Sequence, residues 1–169
     1  MKRSTHPENR SMRLRDIVVK PAIVPQLQST QRDDVVAEMI DALVGAGAAE
    51  AGMRDELVRM VLEREKRGST GFGRGVAVPH VKHPKASGIS AGIGLSPGGV
   101  DFSALDKQPV YSVFLLVSPA ESPEEHLQAM EIIFKHLSQD TFRRFLRQAS
   151  TVDEVVSLLD EADNQQLAG

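Results

Sequence analysis

Four glycines fall within the eight residues from Gly68 to Gly75, and Val76-Ala77-Val78-Pro79-His80 follows directly. Such glycine density lets a backbone enter positive φ and bring bare N–H groups close to a neighbour. Successive amides in turns of this kind form a concave nest that suits an anion. The segment therefore reads as a tight link out of a helix and into a strand. His80 is the one nucleophile it places at a defined point, behind a proline that restricts how the next residue is presented.

The elements around this link can be read in order. Residues 1–12 are polar and aperiodic, which predicts a disordered leader. From Leu14 to Leu27, short apolar pieces alternate with Pro21 and Pro25, as in one or two short extended segments at a sheet edge. Val35, Val36, Met39, Ile40, Leu43 and Val44 repeat at helical spacing, with Thr30 or Asp33 as the expected cap and Gly45-Ala46-Gly47 as the stop. A second helix is expected from Arg54 to Lys66, burying Leu57, Met60 and Val61. Its last turn puts Arg64 on that inward stripe, with Glu65, Lys66 and Arg67 turned elsewhere.

Val76 to Lys82 reads as a buried strand that delivers His80 at its far end. Ile89, Ala91, Ile93 and Leu95 alternate with Ser90, Gly92, Gly94 and Ser96 at period two. Pro97-Gly98-Gly99 reads as a turn, with Val100-Asp101-Phe102 pairing back as a hairpin. Val110 to Val117 is apolar around a single Ser112, the mark of a strand covered on both faces. Ser122-Pro123-Glu124-Glu125 starts a helix that carries His126, Met130, Ile133 and Leu137 along one stripe. Two more helices are expected, one on Phe142, Phe145 and Leu146, the other capped at Ser150-Thr151 and built on Val152, Val155, Val156 and Leu159. The sum is a three-layer α/β domain, a mixed central sheet flanked by helices on both faces, over residues 13–162 with a flexible tail at 163–169.

Composition excludes several classes of function. The chain has 169 residues and a formal net charge of −3, which gives no reason to expect nucleic-acid binding. One tyrosine and no tryptophan leave little for base stacking. The basic start (Lys2, Arg3, Arg10) and acidic end (Asp160, Glu161, Asp163) read as solvated runs. Without cysteine there is neither a disulfide nor a thiolate metal site, which fits a cytoplasmic protein. No apolar run reaches the roughly 20 residues a membrane span needs, so no membrane insertion is expected. The glycines read G-x-G-x-G and no Gly-Lys-Ser/Thr follows, so neither a dinucleotide fold nor a nucleotide P-loop is indicated.

Three residues carry the candidate chemistry. Neutral imidazole is a competent nucleophile near neutrality, which suits His80 to accept a phosphoryl or acyl group. Arg64 offers a planar, permanently charged fork; as an alternative, it complements the C-terminal end of its own helix. His126, inward in a first helical turn, feels the positive end of a dipole that disfavours imidazolium. Ser69, Thr70, Gly71 and Gly73 are expected to line the pocket with amides and hydroxyls. His83 and His136 fit no role. His80-x-x-His83 with His126 mimics a zinc set but lacks a placed carboxylate.

An Arg-Glu pair, Ser69-Thr70-Gly71-x-Gly73-x-Gly75, small apolar residues and then Pro79-His80 together resemble the enzyme IIA domain of the fructose/mannitol class of the bacterial phosphotransferase system, and within it the nitrogen-regulatory branch. The resemblance spans about Leu14 to Leu159. It implies that His80 carries a phosphoryl group taken from an HPr-like phosphocarrier. It further implies that Arg64, sixteen residues earlier, and His126, forty-six residues later, support that histidine. No cofactor is implied, because the donor is already a phosphoprotein. Two onward partners stand open: an enzyme IIB domain of a sugar permease, or a regulated target protein. Pro79-His80-Val81-Lys82, Val100 to Asp106, and the lack of a fused IIB or membrane domain in this sequence lean toward the regulatory branch. Phe72 stands where the family more often has an aliphatic residue. A fold that has kept only protein binding is the competing reading from a different class, and a metal-binding module is a third.

Overall fold

The computed structural model describes residues 12–165, built as α1 (Leu14–Ile17), β1 (Val18–Val24), α2 (Arg32–Gly45), α3 (Arg54–Lys66), β2 (Val76–Ala77), β3 (His80–His83), β4 (Ser90–Val100), β5 (Val110–Pro119), α4 (Pro123–Leu137), α5 (Asp140–Gln148) and α6 (Val152–Asp163). β5 lies in the middle of the sheet. β4 pairs with it antiparallel, while β2 and β3 pair with it parallel on the other side. β1 runs parallel to β4 and forms an edge, where Pro21 is tolerated because no ladder bond is asked of it on the open side.

The apolar run of β5 is explained by its neighbours. Phe114 and Leu116 belong to one core cluster, which takes in Leu14 and Ile17 of α1, Ala129, Ile133 and Leu137 of α4, Phe142 and Leu146 of α5, and Val155 and Leu159 of α6. Val113, Leu115 and Val117 belong to a second, against Val35, Met39 and Leu43 of α2 and Leu57 and Val61 of α3. Alternate residues of one strand thus feed opposite cores, which is why no polar face interrupts it. The three-layer mixed α/β sandwich expected from the sequence is the observed fold.

Several local expectations change. The strand expected from Val76 to Lys82 is two strands in a common register with β5, Val76↔Ser112 to His83↔Pro119, interrupted at Val78–Pro79. The proline has no N–H to give, yet its carbonyl still accepts from Leu116 N at 3.0 Å, so the ladder resumes at His80. Pro97-Gly98-Gly99 is not a hairpin turn. It is an irregularity inside β4, after which Val100 still pairs with Val110. Asp101 then bridges to Gln31 instead of folding back. Helix α2 takes Gln31 as its N-cap, not Thr30 or Asp33, because Asp101 O accepts the Arg32 amide. Phe145, expected in the core, is 41 % exposed, since the buried face of α5 is Phe142 and Leu146. Thr151 does cap α6, accepting the Glu154 amide at 3.1 Å.

The two ends are also more engaged than expected. Most of the expected leader lies outside the described residues, but Met12 packs half-buried on the first core cluster. Asp163, expected to open a flexible tail, ends α6 and caps α1. Its carboxylate accepts the Leu14 amide at 2.8 Å and the Arg15 amide at 3.0 Å. Residues 166–169 of that tail lie outside the described residues. Among the described residues, no helix is long and apolar enough to cross a membrane.

The Asp163 contact joins the first helix to the last, with Leu14 fully buried beside it. Asp163→Ala is expected to lower stability by about 0.5–2 kcal/mol, the range for losing a helix cap. An unchanged urea midpoint would show that the contact carries no stability.

Candidate functional site

The break at Val78–Pro79 sets up the site. His80 follows it and turns its ring back, so that Nδ1 lies 2.8 Å from the carbonyl of Val78. A carbonyl oxygen only accepts, so Nδ1 carries the proton and Nε2 keeps its lone pair. Sequence places His80 toward the far end of a strand; the back-bond decides which nitrogen is free.

His126 enters from α4, whose first turn lies over the end of β5. It is 8 % exposed, and its ring centroid stands 5.4 Å from that of His80 with the planes tilted by 53°. Its Nδ1 is 2.7 Å from Oγ of Ser118, itself buried on β5 opposite Lys82. Ser118 is a residue that sequence reasoning passed over. The available signal was parity: it shares the β5 face of Phe114 and Leu116, the face α4 covers.

Arg64 comes from the end of α3. Its Nη1 donates to the carbonyl of Gly68 at 2.8 Å, so it does close the C-terminus of its helix. The same side chain also lines a cleft of about 440 Å³ together with Met60, Arg67, His80, Lys82 and His126. His80, His126 and Arg64 therefore line one cleft. Arg67 and Lys82 add positive charge that sequence reasoning did not predict. Arg67, expected to turn away, is one turn on from Arg64, and Lys82 is two strand residues on from His80; both spacings keep them on the same side.

The glycine loop has a different geometry from the one expected. The buried stripe of α3 is Leu57, Val61 and Glu65, so Glu65 and not Arg64 is the residue fully turned inward, at 2 % exposure. Its carboxylate accepts the Thr70 amide at 3.1 Å and the Thr70 hydroxyl in a short contact. Ser69 Oγ accepts the Gly71 amide at 2.9 Å. Ser69, Thr70, Gly71 and Gly73 are not among the residues lining the His80 cleft. Two of the amides expected to form an anion nest are instead spent on holding the loop itself. Glycine is required at 71 because a Cβ there would stand 2.9 Å from that of Ala104.

Burial pulls the pKa of His80 below the ordinary histidine value, and the nearby Arg64 charge adds to this; the Val78 bond works against it. Burial pulls His126 down further, to about 4, with the charges of His80 and Lys82 contributing. Both rings are neutral at pH 7, which leaves a nucleophile at His80.

The two other described histidines, His83 and His136, do not line the cleft. His83, 2 % exposed, accepts the Lys85 amide on Nδ1 at 3.0 Å and turns Nε2 toward Glu56 of α3, 3.1 Å away but off hydrogen-bond geometry. It therefore leaves the side of the sheet that His80 shares with His126. His136 is buried beside Phe142. Among the described residues, no three His, Asp or Glu side chains gather as a metal set.

Known proteins share this arrangement of fold and chain. The family profile described as "Phosphoenolpyruvate-dependent sugar phosphotransferase system, EIIA 2" matches residues 17–162, and the chain belongs to that family. It is 33 % identical over 150 residues to a protein named "Nitrogen regulatory protein" from Bradyrhizobium diazoefficiens, covering 88 % of this chain and 95 % of that one. It is 28 % identical over 152 residues to the fructose-specific EIIABC component of Bacillus subtilis, 90 % of this chain but only 24 % of that longer protein. The crystal structure of Nitrogen Regulatory Protein IIA-Ntr from Neisseria meningitidis superposes with a TM-score of 0.77 at 27 % identity, covering 85 % of this chain and 97 % of that one.

Two outcomes test this geometry. Glu65→Ala is expected to cost about 2 kcal/mol in stability, because it strands a buried Thr70 amide and hydroxyl; a neutral substitution in denaturant unfolding would contradict it. For the depressed histidines, protonation favours the unfolded chain. Stability is therefore complete above the unfolded value of 6.5 and falls as the pH drops toward 4. His126→Gln is expected to flatten that fall, and a wild-type profile already flat across this window would refute the assignment.

Proposed function

We propose that this chain is a phosphohistidine carrier whose acceptor atom is Nε2 of His80. The observation that carries the reading is the bond from His80 Nδ1 to the Val78 carbonyl, which leaves Nε2 unprotonated in a cleft it shares with Arg64 and His126. Family membership supports it, since the family serves phosphoenolpyruvate-dependent phosphotransfer.

Transfer from a phosphorylated HPr-like carrier forms a bond from phosphorus to His80 Nε2 as the bond to the donor side chain breaks. Nδ1 keeps its proton against Val78 O, so the positive charge that the ring acquires is met by a carbonyl dipole. The equatorial oxygens need donors, because charge positioning is what phosphoryl transfer asks of a protein. Arg64 supplies N–H groups beyond the one given to Gly68. When Ser118 donates to His126 Nδ1, Nε2 of that ring carries its proton and becomes a second donor. Arg67 and Lys82 add a positive rim. Ser69, Thr70, Gly71 and Gly73 contribute at one remove, by shaping the link that carries the chain from Arg64 to His80.

Phe72, 37 % exposed and 5.0 Å from the exposed ring of Phe134, supplies an apolar contact for the carrier. We assign the regulatory role ahead of sugar transport, on the higher identity to the Bradyrhizobium protein and the TM-score with the Neisseria one. Transfer to an enzyme IIB domain is the second reading, favoured by 30 % identity over 130 residues to the fructose-specific EIIA component of Haloferax volcanii.

Incubation with phosphoenolpyruvate, enzyme I and an HPr-like carrier is expected to add one acid-labile phosphate. His80→Ala abolishes the gain. Arg64→Ala slows it roughly a hundredfold, the scale of losing one transition-state donor. His126→Gln, which keeps a donor, slows it less than His126→Ala. An unmodified wild-type chain, or a gain that survives His80→Ala, would reject the assignment.

A further inference from the structure

A second concentration of positive charge lies away from the His80 cleft. A hollow of about 570 Å³ is lined by Arg74, Asp140, Arg143, Arg144, Arg147 and Gln148. Tyr111, whose ring Arg147 covers, stands at the start of β5, beside Val76↔Ser112, whereas His80 pairs further along at Leu116. The two sites are therefore separated along the same central strand.

Four guanidinium groups here face one carboxylate. Asp140 is shared between Arg143 Nη2 at 3.2 Å and Arg144 Nη1 at 3.4 Å. Among the described residues, no ion pair joins Arg74 or Arg147 to a carboxylate. Arg147 instead stacks over Tyr111, its guanidinium carbon 3.5 Å from the ring centroid, a cation–π contact that helps hold the fork in place. Arg143 is held as well: its side chain is 13 % exposed and Nη1 donates to Leu137 O at 2.7 Å. Complementing the C-terminus of α5 explains Arg147 alone. It does not explain Arg74, which reaches in from the loop before β2, or Arg143 and Arg144 earlier in the helix.

We propose that this hollow binds a small soluble anion carrying two or more linked phosphates. The chain as a whole is at −3, so three uncompensated guanidinium charges in one concavity run against the average. Guanidinium forks match phosphate oxygens bidentately, and such a charge excess answers a diphosphate better than a single monoester. The volume lies within the range of small-ligand pockets, roughly 300–1,000 Å³.

Tyr111 is the chain's single tyrosine and there is no tryptophan, so intrinsic fluorescence reports on the ring under Arg147. Titrating the full chain with inorganic pyrophosphate at constant ionic strength is expected to give a saturable change. Its midpoint should be at least about tenfold lower than that of sulfate. ADP serves as a third arm: tighter binding than pyrophosphate assigns an organic diphosphate, and equal binding assigns the phosphates alone. Calorimetry on the R144Q/R147Q double variant is expected to show binding weakened about tenfold or more, with Arg64→Gln unaffected. Equal responses to pyrophosphate and sulfate would reduce the hollow to ionic screening and overturn the proposal. So would pyrophosphate binding that survives R144Q/R147Q and is lost with Arg64→Gln. Should the double variant fail to fold, amide shifts in the wild-type chain decide the matter: at Tyr111 and Gln148 they support the site, at His80 and His126 alone they overturn it.

Discussion

A single proline-enforced gap in a parallel ladder underlies the geometry of the His80 cleft. Within the register that ties β2 and β3 to β5, Val78 and Pro79 are the residues that leave the strand. The gap makes Val78 O available to a side chain instead of a neighbouring strand, and His80 Nδ1 takes it. One hydrogen bond then orients the ring, sets its tautomer and exposes Nε2. Because the strand resumes at once, that exposed nitrogen is fixed on a rigid sheet and not on a loop, which is where a precise transfer geometry is best held.

The electrostatic arrangement follows from which charges were allowed inward. Glu65 is buried, yet its carboxylate is met by an amide and a hydroxyl of Thr70, so its charge is satisfied within the loop. Arg64, Arg67 and Lys82 stay at the cleft surface, where the proposed transfer would use them. The two neutral histidines fit this division. Their depressed pKa values come first from burial, and the cationic rim deepens the effect. Three cations and the carboxylate of Glu63 line the cleft beside a neutral imidazole, an arrangement that suits the proposed transfer.

Much of this fold is legible in the sequence. The periodicities of α2, α3 and α4 and the all-apolar β5 set the layers, because a helix or strand that must bury one face can do so in few ways. His80, Arg64 and His126 stand out as candidates from the glycine–proline block, their helical stripes and the family resemblance together. What went astray were features whose hydrogen-bond partners lie far off in the chain or in its folds. Pro97-Gly98-Gly99 has the composition of a turn, but the pairing of Val100 with Val110 carries β4 straight through it. The loop amides of Thr70 and Gly71 look free in sequence and are claimed by Glu65 and Ser69. Asp163 looks like a tail residue until α1 packs beside it.

By itself, the amino-acid sequence determined most of the helices and strands (Leu14–Ile17, read as extended, is the helix α1), the three-layer mixed architecture and the glycine–proline link that leads into His80, since hydrophobic period and glycine–proline placement are local properties. Tertiary structure alone decided which nitrogen of His80 is free, that Ser118 braces His126, and that Glu65 rather than Arg64 is the buried end of α3. It also brought Arg74 to α5 and laid Arg147 on Tyr111. Each of these depends on atoms that only meet when distant segments pack, and no spacing along the chain encodes a contact of that kind.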